Sequence, residues 1–333
     1  MDPRILHRLR CPVCGEPLAE TTAGTARALR CPRRHSFDIA RQGYVNLLAG
    51  RAPHAGDTAE MVAARADFLA AGHYDVISAA LAAAATDAVG RLPATTATRP
   101  RPAPPAAHPP TGTTVSGQSR HTDGAAEQTT AAVRAEPAPD VDAYPLVVDA
   151  GAGTGRYLGA VLAALPDAVG LALDVSKPAL RRAARAHPRA AAALADTWQR
   201  LPLADASTAV LLNVFAPRNG AEFHRVLDPA GTLLVVTPGT DHLAQLVDAL
   251  DLLRVDPDKA DRVTDSLGGH FTPAGSAVHR AQLTLTRPEA ASLVGMGPSA
   301  WHTDPDALAS RLAALPEPVR VTVAVRVDAY RPH

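Results

Sequence analysis

All three cysteines of this 333-residue chain fall within its first thirty-one positions. Cys11-Pro-Val-Cys14 is a CxxC pair, and after sixteen intervening residues Cys31 and His35 form a CxxxH pair. Two short-spaced ligand pairs separated by a hairpin-length gap suit a tetrahedral zinc site. Each pair sits on a tight knuckle, and the strands between them bring the knuckles together. Three thiolates and an imidazole fill all four positions, so the expected site is structural, with no place left for a reacting water. In so short a segment the metal should supply much of the folding energy. A redox CxxC would open a helix in a βαβ unit, which Pro12 and the turn Gly15-Glu16-Pro17 do not suit. Plain buried thiols are the other alternative.

A second constellation begins at Leu146-Val147-Val148, a short buried strand, followed by Asp149-Ala150-Gly151-Ala152-Gly153-Thr154-Gly155 and a helix expected over Tyr157–Leu165. The dinucleotide fingerprint G-x-G-x-x-G fails here, because counting from Gly151 its last position is Arg156. The pattern D-x-G-x-G-x-G instead resembles the first motif of the class I S-adenosylmethionine-dependent methyltransferases. Its glycines let the backbone approach the methionine part of the cofactor, with helix N-terminal amides facing the carboxylate. A strand over Gly170–Leu173 ends at Asp174, an acid placed to accept from both ribose hydroxyls and also to cap the next helix. Asp196 stands where this fold places an acid against the adenine amino group. Ala209–Pro217 reads as the fourth strand and its exit loop. Ligands of open α/β sheets bind beyond the carboxyl ends of strands. Asn213, Phe215 and Pro217 therefore stand where an acceptor must meet the methyl group, and are the candidate catalytic residues. LDPAGTLLVVTPGTDHL adds a turn and a fifth strand, ending near His242.

The elements that must position these groups follow from composition and pattern. GDTAEMVAARADFLAAG predicts a helix with Met61, Ala64, Arg65 and Phe68 along one stripe, capped by Asp57 or Thr58, and VISAALAAAATDAV predicts another. Strand, helix over Tyr157–Leu165, strand, then helix over Lys177–Ala186 make a βαβα unit. From Pro93 to Ala143 there are nine prolines and no Leu, Ile, Met, Phe, Tyr or Trp. Such a stretch cannot bury enough apolar surface to offset its ordering entropy. The expected fold class is α/β: a Rossmann-like class I methyltransferase domain with a small N-terminal zinc-binding module. The expected division is 1–50 for the zinc module, 51–92 for a helical connection contributing to the cofactor site, 93–143 for a disordered insertion and 144–333 for the methyltransferase domain. Formal net charge is zero, which argues against nucleic-acid binding by the molecule as a whole. Residues 1–51, however, hold nine Arg against Asp2, Glu16, Glu20 and Asp38, a basic patch of modest size.

Together these segments resemble the bacterial 23S ribosomal RNA guanine-N1 methyltransferases, which join an N-terminal zinc module to a class I methyltransferase domain. The matching phrases are CPVC…CPRRHSFDIARQGYVNLL, GDTAEMVAARADFLAAGHY, DAGAGTGRY, LDVSKPALRRAARAHP, NVFAPRN, VVTPGTDHL and MGPSAWHTDPDAL. They cover nearly all of the chain outside 93–143. Several look like the actinobacterial branch associated with tylosin resistance. The long Pro-rich insertion departs from the family pattern.

The resemblance implies a substrate, one guanine in a hairpin loop of domain II of 23S rRNA, and a homodimer. It implies S-adenosylmethionine as cofactor beside structural Zn2+. By the family pattern cofactor contacts fall on Tyr74, Gly153-Thr154 and His242, added to Asp149, Gly151, Gly155, Asp174 and Asp196 from the motifs. Arg30, Arg33, Arg34 and Arg41 are candidate RNA contacts, Phe215 a candidate stacking partner for the base, and Trp301 a second platform. Two alternatives stay open. One is a methyltransferase acting on a small molecule, which leaves the zinc module without a task. The other is a zinc-bearing RNA-binding protein without catalysis, against which the intact glycine loop and Asp174 argue. No apolar run of eighteen residues and no signal-peptide pattern is present, so the expected compartment is the cytoplasm, with no membrane partner.

Overall fold

The computed structural model describes residues 1–23, 26–50, 56–93, 144–254, 256, 259–297 and 304–333. The Pro-rich stretch 93–143, apart from Pro93, lies outside the described residues, and so does Trp301.

The chain opens with the short helix α1 (Pro3–Leu6) and a three-stranded antiparallel sheet of β1 (Ala19–Ala23), β2 (Ala26–Arg30) and β3 (Ser36–Asp38). The next strand, β4 (Tyr44–Asn46), leaves that small sheet and pairs in parallel with a strand of the large one, Tyr44 opposite Ala192. The zinc segment thus gives its last strand to the central sheet.

Two helices follow, α2 (Ala59–Ala70) and α3 (Asp75–Gly90). Thr58 caps α2, its hydroxyl accepting from the Met61 amide. The expected stripe of α2 is corrected by the packing. Val62, Phe68 and Leu69 are the buried residues, and this rotation of the helix leaves Arg65 half-buried and turned toward the glycine loop.

The large sheet continues through β5 (Leu146–Ala150), α4 (Arg156–Ala164), β6 (Val169–Asp174), α5 (Lys177–Ala183), β7 (Ala190–Leu194), β8 (Thr208–Val214), α6 (Gly220–Val226) and β9 (Leu227–Pro238). Then come α7 (Ala244–Leu250), α8 (Lys259–Leu267), β10 (Phe271–Leu285), α9 (Arg287–Gly295), α10 (Pro305–Ala313) and β11 (Val319–Pro332). The order in the eight-stranded sheet is β10-β11-β9-β8-β5-β6-β7-β4. All described pairings are parallel except those of β11, which runs antiparallel to β9 and β10. Helix α5 ends at Ala183, three residues short of the sequence expectation, with Ala184 as its C-cap ahead of His187-Pro188.

Strands buried on both faces read as near-continuous apolar runs, and LVVDA and TAVLLNV are buried throughout, interrupted only by Asp149, Thr208 and Asn213. Their side chains alternate between two cores. Val147, Val210 and Leu212 join α2, α3 and α4 residues such as Phe68, Ile77, Leu81 and Leu158 on one face. Leu146, Val148 and Leu211 face the other core, which also holds Ile5, Leu9, Leu29, Val45 and the thiols Cys11 and Cys31. The zinc segment is therefore packed into the same core as the sheet. The Arg10 amide donates to the Pro202 carbonyl, 3.0 Å, and the Ala204 amide to the Arg8 carbonyl, 2.9 Å, which fastens the two together.

Chain order reverses between β5 and its neighbours β6 and β8. That switch point opens a crevice beyond the carboxyl ends of the strands, where open α/β sheets take their ligands.

Candidate metal centre and cofactor cleft

Sγ of Cys11, Cys14 and Cys31 and a ring nitrogen of His35 all lie within 4.8 Å of one another. The Cys14–Cys31 sulfur separation is 3.7 Å, and His35 Nδ1 stands 3.6 Å from Cys11 Sγ and 3.4 Å from Cys31 Sγ. A tetrahedron with Zn–S bonds of about 2.3 Å has sulfur–sulfur edges of roughly 3.8 Å, so the cluster has the dimensions of a zinc site with every ligand from protein. Backbone hydrogen bonds shape both knuckles. The Gly15 amide donates to the Cys11 carbonyl, 2.8 Å, and the Arg34 amide to the Cys31 carbonyl, 2.9 Å. Burial drives the Cys11 thiol up to about 11. Burial also opposes ionisation of Cys31, but the His35 amide and the neighbouring Cys14, His35 and Cys11 side chains outweigh it and bring that thiol down to about 7. A divalent cation would settle the cluster as thiolates.

At the switch point the glycine loop turns through left-handed backbone, with φ of +84° at Gly151, +53° at Gly153 and +78° at Gly155. A side chain at Gly151 would collide with the Ala216 methyl, so the loop leaving β8 rests directly on the glycine loop. Asp174 closes the turn: one carboxylate oxygen accepts from the Gly153 amide at 2.8 Å and the other from the Ser176 amide at 2.7 Å. The cap of α5 is Ser176, not Asp174. Each Asp174 oxygen keeps a lone pair, the capacity that ribose hydroxyls would use. Burial raises the Asp174 carboxyl above the usual range.

Asp149 is sealed beneath the loop at 1 % exposure, and both its oxygens lack a hydrogen-bond partner. Burial, with the charge of Asp174 added, pushes it up to about 7. Asp196, beyond the end of β7, accepts from the Trp198 amide through one oxygen at 3.0 Å. Its other oxygen is buried without a partner, an acceptor for which an amino group would be a match. Left-handed glycines, a free acceptor at Asp196 and spare lone pairs on Asp174 fit the nucleoside and amino-acid parts of S-adenosylmethionine. Thr154 sits half-buried in the same turn.

Tyr74 and His242, 168 positions apart in sequence, meet with Tyr74 Oη 3.5 Å from His242 Nε2. The Ala324 amide donates to His242 Nδ1 at 3.2 Å, so in the neutral ring the hydrogen resides on Nε2. The Phe215 ring lies 6.0 Å from that of His242. Phe215 is 42 % exposed and holds φ of +52°, an uncommon conformation for an aromatic residue. Asn213 has a different place from the one expected. It is fully buried, and its amide donates to the Ala150 carbonyl at 3.3 Å and the Pro217 carbonyl at 2.8 Å. It pins the loop from behind and does not present its amide to the cleft. Pro217 is exposed at the loop's tip.

Two residues of this region are not among the site residues expected from sequence. Trp198 is 55 % exposed, and its carbonyl accepts from the Asn219 side chain at 3.3 Å, tying it to the loop after β8. Position two after Asp196 was the available signal. Arg65 is the other. Its guanidinium pairs with Asp57, donates to the Met296 carbonyl at 2.7 Å and overlies Gly153. Arg30, Arg33, Arg34 and Arg41 are all exposed on the zinc segment, with Arg33 3.6 Å from Glu16.

Comparison with known proteins agrees with this geometry. Residues 9–52 match the family described as the zinc ribbon of RlmA, N-terminal. The chain is 63 % identical over 333 residues, the whole of both chains, to a Micromonospora griseorubida protein provisionally named a 23S rRNA (guanine-N1-)-methyltransferase. It is 45 % identical over 332 residues, 100 % of this chain and 99 % of the other, to the 23S rRNA (guanine(748)-N1)-methyltransferase of Streptomyces fradiae. A Bacillus subtilis (strain 168) protein provisionally named in the same way is 27 % identical over 96 % of this chain and 94 % of its own. Kinship that runs from the zinc knuckles to the last strand leaves no part of the architecture unaccounted for, and the chain belongs to the 23S rRNA (guanine-N1)-methyltransferase family.

Proposed function

We propose that this protein transfers a methyl group from S-adenosylmethionine to N1 of a guanine in a hairpin loop of domain II of 23S rRNA. The observation that carries the reading is 45 % identity along the whole chain, zinc segment included, with a protein named as a 23S rRNA (guanine(748)-N1)-methyltransferase. When bound, the cofactor supplies an electrophilic methyl group on a sulfonium sulfur.

The chain's own residues hold and orient. Asp174 and Asp196 receive the adenosine end. Tyr74 and His242 wall the cleft where the methyl must lie. The Ala324 amide holds His242 through Nδ1 at 3.2 Å, which fixes the ring with Nε2 toward Tyr74 Oη. Guanine N1 carries a proton and faces its pairing partner, so the base must enter unpaired or flipped out. Exposed Phe215 offers a face on which that base stacks, and Trp198 offers a second. Holding the two reactants in line supplies much of the acceleration. The exposed arginines Arg30, Arg33, Arg34 and Arg41 contact RNA phosphates, and the enzyme works as a homodimer. A methyl group at a macrolide contact removes a hydrogen bond or adds a clash, which gives tylosin resistance. Among the described residues no single helix is long and apolar enough to cross a membrane.

Base–aromatic stacking is worth about 1–3 kcal/mol. Phe215→Ala should therefore lower kcat/KM for RNA by roughly 5- to 150-fold while cofactor affinity, measured by calorimetry, stays as in the wild type. Unchanged turnover would remove the stacking role.

The reading itself is tested by primer extension on 23S rRNA incubated with the pure protein, with and without S-adenosylmethionine. N1 methylation blocks the pairing edge, so reverse transcriptase should stop beside the modified guanine only when the cofactor is present. Cofactor binding without any stop, on free rRNA and on ribosomal particles alike, would turn the assignment toward a small-molecule acceptor.

A further inference from the structure

Helix α2 lies across the glycine loop. A side chain at Gly56, just ahead of α2, would press on the Ser176 backbone at 2.8 Å. The Ser176 hydroxyl donates to the Asp57 carbonyl, also at 2.8 Å. These contacts bring Arg65 over the loop, where a Cβ placed on Gly153 would stand 3.6 Å from Nη1 and 3.9 Å from Cδ. The side chain is 26 % exposed. Its charge reaches Tyr74, Tyr157 and Asp174, opposing in each the upward push of burial. A guanidinium has five N–H donors, and Asp57 and Met296 do not exhaust them.

We propose that Arg65 binds the α-carboxylate of the methyl donor and so fixes where its methyl group stands. This rests on the reading that the glycine loop takes S-adenosylmethionine. With adenine at Asp196 and ribose at Asp174, the amino-acid end runs over the glycine loop toward the loop leaving β8. That end carries a carboxylate, and a planar fork of donors matches a carboxylate better than any other charged side chain does. Asp57 holds the guanidinium in register, so the anchor is preorganised. The opposing view is that Arg65 only staples α2 to Asp57 and to the end of α9.

The two views separate when the ligand, not only the protein, loses its carboxylate. Calorimetry would compare S-adenosylmethionine with decarboxylated S-adenosylmethionine on the full-length wild type, Arg65→Ala and Arg65→Lys. For Arg65→Ala we expect affinity for S-adenosylmethionine to fall about 10- to 100-fold, the range for a hydrogen bond between charged groups. Affinity for the decarboxylated compound should change by less than about threefold. Arg65→Lys, which keeps the charge but not the fork, should fall between. Equal loss for both compounds would mean a purely structural staple and would overturn the proposal, as would no loss for either. If the wild type binds neither compound, the cofactor reading itself fails and this inference goes with it.

Discussion

Gly151→Ala should reduce methyl transfer by about 100-fold or more while leaving the protein folded. Two independent costs meet at this position. An L-residue at φ of +84° pays about 1–2 kcal/mol of backbone strain. The added methyl also collides with the Ala216 methyl, so the glycine loop and the loop leaving β8 must move apart. One carries the proposed cofactor contacts and the other the proposed acceptor contacts, and a displacement of about 1 Å between reactants suffices for a roughly 100-fold loss. For a chain of this size the strain alone should lower Tm by only a few degrees, about 2–4 °C per kcal/mol. Single-turnover methylation and a thermal melt on the same preparation check both halves. The pair Gly151→Ala with Ala216→Gly relieves the collision but not the strain, and should recover part of the rate. No recovery would assign the whole effect to the backbone.

Removing the metal should have the second large effect. Structural zinc contributes about 10–16 kcal/mol of apparent binding free energy in isolated zinc-finger peptides, and here the same ligands also anchor a segment that shares the core of the large sheet. Cys31→Ser, or chelation of the wild type, should release the zinc, open residues 1–50 to trypsin and lower Tm well beyond the Gly151→Ala shift. Acid should act in the same direction. The ligands bind as thiolates and neutral imidazole, so protons compete with the metal and affinity falls as pH falls. Zinc release followed with a colorimetric chelator, alongside proteolysis, measures this. A Cys31→Ser protein that keeps its zinc and its Tm would remove Cys31 from the ligand set.

What the sequence disclosed is what depends on short spacing. The knuckle pairs at Cys11–Cys14 and Cys31–His35 are close to sufficient by themselves, while the glycine turn at 149–155 signals its cofactor only together with Asp174 and the strands around it. The strands of the βαβα unit were legible because burial on both faces makes them near-continuous apolar runs. The pairing of Tyr44–Asn46 with Ala192–Leu194 was not legible, because a three-residue parallel strand has no turn to announce it and its register is set by a distant partner. Neither was the long antiparallel pair of β10 and β11. Most of β10 is exposed, so its residues lack the apolar signal that revealed β5 and β8. Periodicity places Arg65 on a helix stripe, since it gives a face but not what lies opposite it. Asn213 shows the same limit. Its place at the end of β8 follows from the sequence pattern, but the side chain turns inward to two carbonyls that only the folded chain supplies. Phe215, beside it, is the residue that looks out.

The parallel seat of β4 on β7 has a consequence for any attempt to obtain a minimal catalytic fragment. Without residues 1–50 the outermost strand would be β7, AAAAL, with a bare row of backbone donors and acceptors and no charged or proline residue to discourage pairing. Such an unprotected border is a template for self-association. The zinc segment therefore also acts as a selvedge that keeps the sheet from growing into its neighbours, and the two parts of this protein cannot be treated as a detachable reader and an independent enzyme.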